Sequence, residues 1–243
     1  MDNQNKPLIT VVTVCYNAVN ELEETMLSVL NQTYDNIEYI VIDGGSTDGT
    51  VDIIKKYADR LAYWVSEPDK GIYDAMNKGI SVATGEWINF MNAGDRFYDE
   101  GTIERMSLSF CEKETIYYGD AWIHSIGKKY WGRFSSWKLA TGNICHQAIF
   151  YPSSLLKQNL FDTSYCIFAD YVFNLDAWKK YPFEYVPRII CRYDFGGAST
   201  LNKNRDKKFI CDRSRLVINS CGFVNYCIGS IYRTLIKIKS GLK

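Results

Sequence analysis

Two acidic residues at the ends of apolar runs are the first candidates for chemistry. Asp43 follows the run EYIVI (38–42) and opens the turn DGGSTDGT, whereas Asp95 ends the segment INFMNAGD (88–95). Asp43 could accept a hydrogen bond from a base or a ribose, and Asp95 suits a hard divalent cation bridging to diphosphate oxygens. Each motif alone is more often a turn or a loop cap. The 43–50 turn also lacks the GK[ST] of a Walker loop and the GxGxxG dinucleotide spacing.

A second group with catalytic potential lies in the back half of the chain. Asp170 begins the helical run ADYVFNLDAW, where a helix dipole helps to keep a first-turn carboxylate ionised, so it could act as a general base. The alternative is that Asp170 only caps this helix. His146 precedes the apolar stretch AIFY and, taken alone, is more often a core histidine, and His124 is expected to be structural.

The elements that position these residues alternate between strands and helices. The predicted strands are LITVVTVC (8–15), EYIVI (38–42), LAYWV (61–65) and EWINFM (86–91), and the predicted helices span about 20–30, 50–58 and 72–83. Strands and helices joined by short links predict a parallel sheet with right-handed crossovers. Ligands of such sheets bind beyond the carboxyl ends of the strands. Four polar strand exits are therefore expected to converge on one crevice.

The remainder of the chain has a mixed pattern and a helical tail. Further elements are expected as helices near 102–111 and 169–179, and as strands at 116–123, 128–134 and near 184–193. From Arg205 the sequence is helical, with a break near Gly222. Residues 223–239 are too short and too polar for a typical transmembrane span. They fit equally well a basic amphipathic helix on a membrane surface and a helix packed on the body or a partner.

Composition narrows the class of protein. The 243 residues carry 28 Lys and Arg against 28 Asp and Glu, which argues against a dedicated nucleic-acid binder. The eight cysteines show no CxxC spacing, and the N-terminal residues lack the pattern of a signal peptide, so we expect reduced cysteines and a cytoplasmic protein.

Taken together, the motifs resemble a known family. TVVTVCYNA, IDGGSTDGT, SEPDKGIYDAMNKGI, FMNAGD, HQAIF, ADYVFNL and GGAST occur in this order, over roughly residues 8–200. The chain thereby resembles the inverting family 2 glycosyltransferases with the GT-A fold, especially those of colanic-acid and related exopolysaccharide clusters. The resemblance implies an α/β, Rossmann-like nucleotide-binding fold with a mostly parallel central sheet and a helical C-terminal tail. We expect a GT-A domain over 1–204, with 1–98 binding the nucleotide sugar and 99–204 the acceptor, and a basic tail over 205–243.

The resemblance also implies roles for individual residues. The implied donor-binding residues are Thr13, Tyr16, Asp43, Asp69, Lys70 and Asn92. Asp95 would hold Mn²⁺ or Mg²⁺, and Asp170 would be the catalytic base. The positions whose role stays open between the donor and acceptor sides are His146, Gln147, Gly196, Gly197 and Ser199. The chain departs from the family's DxDD pattern in Asn92-Ala93-Gly94-Asp95, which leaves one carboxylate.

The implied function is single-sugar transfer from a nucleotide-sugar donor, UDP being the commonest nucleotide among relatives, to a lipid-linked saccharide acceptor in surface polysaccharide biosynthesis. The QxxRW motif of processive synthases is absent, so single additions are expected. Two alternatives stay open: a sugar nucleotidyltransferase, and a noncatalytic nucleotide-sugar-binding partner of an assembly complex. The tail would place the protein either free in the cytoplasm or peripherally on the inner face of the cell membrane.

Overall fold

A single curled sheet organises the chain in this computed structural model, which describes residues 6–130, 132–193 and 206–241. The strands are β1 (Ile9–Cys15), β2 (Ile37–Asp43), β3 (Tyr63–Ser66), β4 (Trp87–Phe90), β5 (Arg96–Phe97), β6 (Ile116–Ile123), β7 (Lys128–Tyr130), β8 (Ile149–Pro152) and β9 (Phe183–Tyr193). The α-helices are α1 (Leu22–Leu30), α2 (Thr50–Lys56), α3 (Ile72–Val82), α4 (Thr102–Ser107), α5 (Ser136–Thr141), α6 (Ser153–Gln158), α7 (Ala169–Lys180), α8 (Lys207–Cys221) and α9 (Phe223–Gly241). The α/β architecture predicted from the sequence is confirmed.

The front half of the sheet is parallel, in the order β3-β2-β1-β4. Every residue of β1 is buried, because helices cover both faces of the sheet and its β-branched side chains pack into both layers. Val12 and Val14 pack on the face that α3 covers, and Ile9 and Val11 pack on the opposite face. The carboxyl ends of β1, β2 and β4 therefore open at one edge.

The back half of the sheet attaches through an antiparallel strand. β8 runs opposite to β4, with Ile88 paired to Tyr151, and also opposite to β6. β9 then pairs parallel to β6, and the short strand β5 pairs antiparallel to β9. Because β8 is antiparallel to β4, the residues that precede β8 lie at the same edge as the residues that follow β4. This pairing brings the two halves of the chain together at the crevice.

The C-terminal tail consists of α8 and α9, which meet at Gly222 with a φ of +86°. α8 packs against α7, and α9 packs against α5. The guanidinium of Arg233 donates to the carbonyl oxygen of Ala140 at 2.6 Å, and Gly229 lies close against the same residue. Among the described residues, no helix combines the length and apolar character that a membrane span requires.

Candidate active site

The turn after β2 is ordered by the carboxylate of Asp43. Asp43 is fully buried, and its Oδ2 accepts hydrogen bonds from the backbone of Gly45 and Ser46 and from the Ser66 hydroxyl at 2.6 Å. Burial opposes ionisation, but the hydrogen bonds from Ser46 and Ser66 outweigh it, so the pKa of Asp43 is lowered. The negative charge of Asp43 is thus used inside the protein, where it shapes the turn.

Gly44 lies buried beside this turn, beneath a surface formed by the side chains of Tyr16 and Asp69. A Cβ atom at Gly44 would lie 2.4 Å from the Asp69 Oδ2 and 3.3 Å from the Tyr16 ring. Tyr16 is 65% exposed, and Asp69 is held by the backbone N–H of Gly71 at 2.8 Å. Lys70 is exposed next to Asp69, and its backbone N–H donates to Asp74 at 3.0 Å. The predicted donor-binding residues Tyr16, Asp43 and Asp69 therefore come together around one glycine.

Thr13 lies below this surface. Its side chain is fully buried, and its hydroxyl contacts the Met91 carbonyl oxygen at 2.7 Å and the Tyr39 hydroxyl at 2.9 Å. With both hydrogen-bonding partners inside the protein, the Thr13 side chain joins β1 to the end of β4. The structure therefore gives it a supporting position in the sheet, away from the exposed face of Tyr16.

The segment after β4 carries Asn92 and Asp95 to the same edge of the sheet. The Asp95 Oδ2 accepts a hydrogen bond from the Gln147 Nε2 at 2.6 Å. Burial raises the pKa of Asp95 to about 6, although Gln147 and His146 act in the opposite direction. The Asn92 Oδ1 is buried without a hydrogen-bond partner among the described residues. The segment after β4 therefore carries a carboxylate with one hydrogen bond from Gln147 and an amide oxygen with no hydrogen-bond partner among the described residues.

A chain of contacts links this edge to the carboxylate on α7. The Asn92 Nδ2 lies 3.0 Å from the His146 Nε2, and the His146 Nδ1 lies 3.3 Å from the Asp170 Oδ2. With its proton on Nδ1, the imidazole donates to Asp170 and accepts from Asn92. Burial opposes a charge on His146, but the hydrogen bond to Asp170 and its negative charge prevail, so the pKa of His146 is raised.

Two further side chains hold Asp170, and neither was expected from the sequence. The Tyr73 hydroxyl donates to the Asp170 Oδ1 at 2.8 Å, and the Asn143 Nδ2 donates to its Oδ2 at 2.9 Å. The backbone N–H of Tyr171 also donates to Oδ1. Tyr73 lies inside the run SEPDKGIYDAMNKGI, and Asn143 lies three residues before His146. Their nearness to these motifs was the only feature of the sequence that could have marked them as site residues.

The remaining predicted site residues fall outside this geometry or outside the described chain. Gly196, Gly197 and Ser199 lie outside the described residues. Within residues 6–130, 132–193 and 206–241, no group of three or more His, Cys, Asp and Glu side chains is arranged to hold a metal ion.

Comparison with known proteins identifies the family of this chain. Residues 10–182 match the family described as Glycosyl transferase family 2. The PGL/p-HBAD biosynthesis glycosyltransferase of Mycobacterium bovis (strain BCG / Pasteur 1173P2) is 33% identical over 220 residues, which cover 84% of this chain and 83% of that protein. An uncharacterized glycosyltransferase of Mycobacterium tuberculosis is 34% identical over 205 residues, which cover 80% of this chain and 78% of that protein.

Two solved structures share the fold. S. aureus TarS 1-349, in complex with UDP, has a TM-score of 0.67 at 18% identity and is matched over 87% of this chain and 64% of that chain. This chain therefore spans less than two thirds of that structure. The mannosyltransferase PcManGT from Pyrobaculum calidifontis, in complex with GDP-Man and Mn²⁺, has a TM-score of 0.68 at 16% identity, over 99% of this chain and 81% of that chain. By sequence and by fold, this chain belongs to glycosyl transferase family 2 and is a transferase of the GT-A type.

Proposed function

We propose that this glycosyltransferase moves one sugar, with inversion, from a nucleotide-sugar donor to a saccharide acceptor. The donor is taken as a UDP-sugar and the acceptor as lipid-linked, in surface polysaccharide biosynthesis, on the resemblance to colanic-acid and exopolysaccharide enzymes. One observation carries the proposal: the contacts Asn92–His146–Asp170 join the strand edge, where a diphosphate would lie, to a buried carboxylate in the back half.

The donor is proposed to lie over Gly44. The exposed ring of Tyr16 offers a face for a base, and Asp69 lies beside it with its carboxylate over the glycine. The absence of a Cβ at Gly44 lets the side chains of Asp69 and Tyr16 lie close against the backbone of the turn. The complexes of TarS with UDP and of PcManGT with GDP-Man support a nucleoside diphosphate in this fold.

A divalent cation, Mn²⁺ or Mg²⁺, is proposed at the edge formed by Asp95 and Asn92. The donor set fits a hard cation, because the Asp95 carboxylate and the Asn92 Oδ1, which has no hydrogen-bond partner in the described part of the chain, are both oxygen ligands. When bound, the cation stabilises charge on the leaving diphosphate. With one carboxylate at the site, the diphosphate and water would complete the coordination. The Mn²⁺ complex of PcManGT supports a metal in this fold.

Asp170 is proposed as the general base for the acceptor hydroxyl. Inversion requires a single displacement, in which the hydroxyl attacks as its proton is removed by a group opposite the leaving diphosphate. Four donors, from Tyr73, Tyr171, Asn143 and His146, hold the Asp170 carboxylate and occupy its lone pairs. The acceptor hydroxyl would displace one of these donors, and the 3.3 Å contact to His146 is the longest of them.

A peripheral membrane position is proposed for the tail. The exposed apolar side chains on one stripe of α9 are Val224, Ile228, Ile231, Leu235 and Ile238. Their spacing of four, three, four and three residues places them on one face of the helix. The opposite face carries Gly229 and Arg233, which pack on Ala140. Such a helix can lie in a membrane interface with its apolar stripe buried.

The proposed activity is tested by measuring nucleotide release from a panel of UDP-, GDP-, dTDP- and CDP-sugars, with Mn²⁺, Mg²⁺ or a chelator. Each reaction is run with and without a lipid-linked saccharide acceptor, and the anomeric configuration of the product is read by NMR. We expect acceptor-dependent release that needs a divalent cation and yields the inverted anomer. Formation of a nucleoside triphosphate and a sugar 1-phosphate when pyrophosphate is added would indicate a nucleotidyltransferase, and no release from any donor would indicate a binding partner.

A further inference from the structure

A cavity of about 780 Å³ lies beside the candidate active site, on the side of β5 and the end of β9. Its volume is in the range of small-molecule sites, roughly 300–1,000 Å³. The lining includes Gly94, Arg96, Tyr98, His124, Arg192 and Tyr193. None of these residues is used in the function proposed above. Because Gly94 directly precedes Asp95, a ligand in this cavity would lie next to the proposed metal edge.

Arg192 is the distinctive side chain in this cavity. Its guanidinium lies 4.7 Å from the centroid of the Tyr98 ring, and the side chain is exposed. Two other arginines of the cavity have acidic partners, since Arg96 pairs with Glu24 and Arg105 pairs with Asp99. Arg192 has no ion pair or side-chain hydrogen bond within the described part of the chain. Its N–H donors are therefore available to a ligand.

The contact with the Tyr98 ring holds the Arg192 guanidinium in a position suited to an anionic ligand. A guanidinium held against an aromatic ring loses little further freedom on binding and presents its N–H groups along its edge. This planar fork matches the two oxygens of a phosphate or a carboxylate. Tyr98 and Tyr193 supply aromatic surface in the same cavity, which suits the apolar face of a sugar ring.

The geometry points to an acceptor subsite: this cavity binds a saccharide that carries an anionic group, a phosphate or a carboxylate, with Arg192 holding the anion. The role of the bound saccharide as the acceptor rests on the function proposed above. The binding of an anionic saccharide at Arg192 rests on the cavity itself and is tested without any transfer reaction.

Saturation-transfer NMR with three probes tests this subsite. Glucose 1-phosphate, glucuronate and glucose are each titrated into the full chain in the presence of excess UDP, which occupies the donor site. We expect at least one anionic probe to bind, and Arg192→Gln to weaken it about tenfold or more, because a charge-assisted bidentate contact is lost. The phosphate and carboxylate probes distinguish the two sources of the anion.

The control variant is Arg188→Gln, which removes an exposed arginine of the same strand outside the cavity lining. It should leave binding unchanged. Tyr98→Leu is a second test, since it removes the stacking surface and keeps the charge, and it should weaken binding less than Arg192→Gln does. Equal binding of glucose, retention of binding in Arg192→Gln, or no binding of either anion in the presence of UDP would each overturn the inference. None of these outcomes affects nucleotide release, so the proposed activity is judged separately.

Discussion

At the scale of single residues, the Asp170 carboxylate is held by more hydrogen-bond donors than the carboxylate of Asp95. Its donors include the Tyr73 hydroxyl, whose pKa is raised well above its usual value by burial and by the charge of Asp170. Tyr73 therefore stays protonated and keeps donating at physiological pH.

Asp170→Asn is expected to lower kcat by about a hundredfold or more and to leave donor binding nearly unchanged. The amide keeps the first-turn position on α7 and can still accept a hydrogen bond from Tyr73, so the fold should persist. His146→Asn should cost less, about tenfold, because it removes a neighbour of the base and leaves the carboxylate. Steady-state kinetics and nucleotide binding measured on both variants check this.

A different ranking of these two variants would reassign the base. If His146→Asn costs as much as Asp170→Asn, the imidazole is the group that meets the acceptor hydroxyl. If Asp170→Asn transfers sugar at nearly the parental rate, Asp170 only positions α7.

Asp95→Asn is expected to stabilise the metal-free protein at neutral pH while abolishing metal-dependent transfer. The pKa of Asp95 is raised to about 6 from the usual 3.8, so the folded state loses stability as the pH rises from about 4 to above 6. At pH 7.5 the Asn variant should unfold with a free energy about 1–3 kcal/mol higher than the parent, and at pH 4 the two should be equal. Denaturant unfolding in a chelating buffer at both pH values measures the difference. Equal stability at pH 7.5 would show that Asp95 ionises without cost.

At the scale of elements, α9 has one face that packs on the body of the protein and another that is exposed and apolar. Arg233 and Gly229 hold one face on α5, and the exposed stripe runs along the other. Side chains on the stripe contribute little to the core, so their replacement should affect association far more than folding.

The double variant Ile231→Ser, Leu235→Ser is expected to release the protein from anionic vesicles. Its melting temperature should stay within a few degrees of the parent, because both side chains are exposed. Vesicle co-sedimentation and thermal unfolding measure the two effects. Ile236→Ser, an exposed change off the stripe, is the matched control. Equal sedimentation of the parent and the double variant would show that this stripe does not bind the membrane.

The elements of the front half could be predicted from local pattern, and the contacts of the site could not. The run 8–15 predicted β1 within one residue, because a strand buried on both faces reads as a continuous β-branched run. The antiparallel pairing of β8 with β4 joins residues about 60 positions apart, and the local hydrophobic pattern of either segment does not predict it. Asn92 and His146 therefore followed from the sequence as separate residues, and their contact did not. Tyr73 was hidden for the same reason, since it meets Asp170 across 97 positions.

At the scale of the whole molecule, the chain divides its two tasks between the halves of one sheet. The parallel strands β1 to β4 bring the donor-side residues to one edge, and β8 and α7 bring His146 and Asp170 to the same edge. The balanced charge argued against a dedicated nucleic-acid binder, and that expectation stays a prediction. The donor, acceptor and linkage depend on side chains in the crevice and on the cavity at Arg192, which composition does not encode.

The antiparallel pairing of β4 with β8 also determines where the chain can change length. The position of Asn92 relative to His146 is set by strand register, so the intervening loops can grow without moving either residue.

A two-residue insertion after Lys113, in an exposed turn, should leave transfer rate and melting temperature nearly parental. A one-residue insertion after Met91 should lower transfer at least a hundredfold, because it shifts Asn92 and Asp95 by one residue relative to His146 and Gln147, which they contact. Kinetics and thermal unfolding of the two insertions compare them directly, and a tolerated insertion after Met91 would show that register is not what aligns the site. Natural length variation among relatives should accordingly concentrate in the loops between β4 and β8 and spare the strand exits themselves.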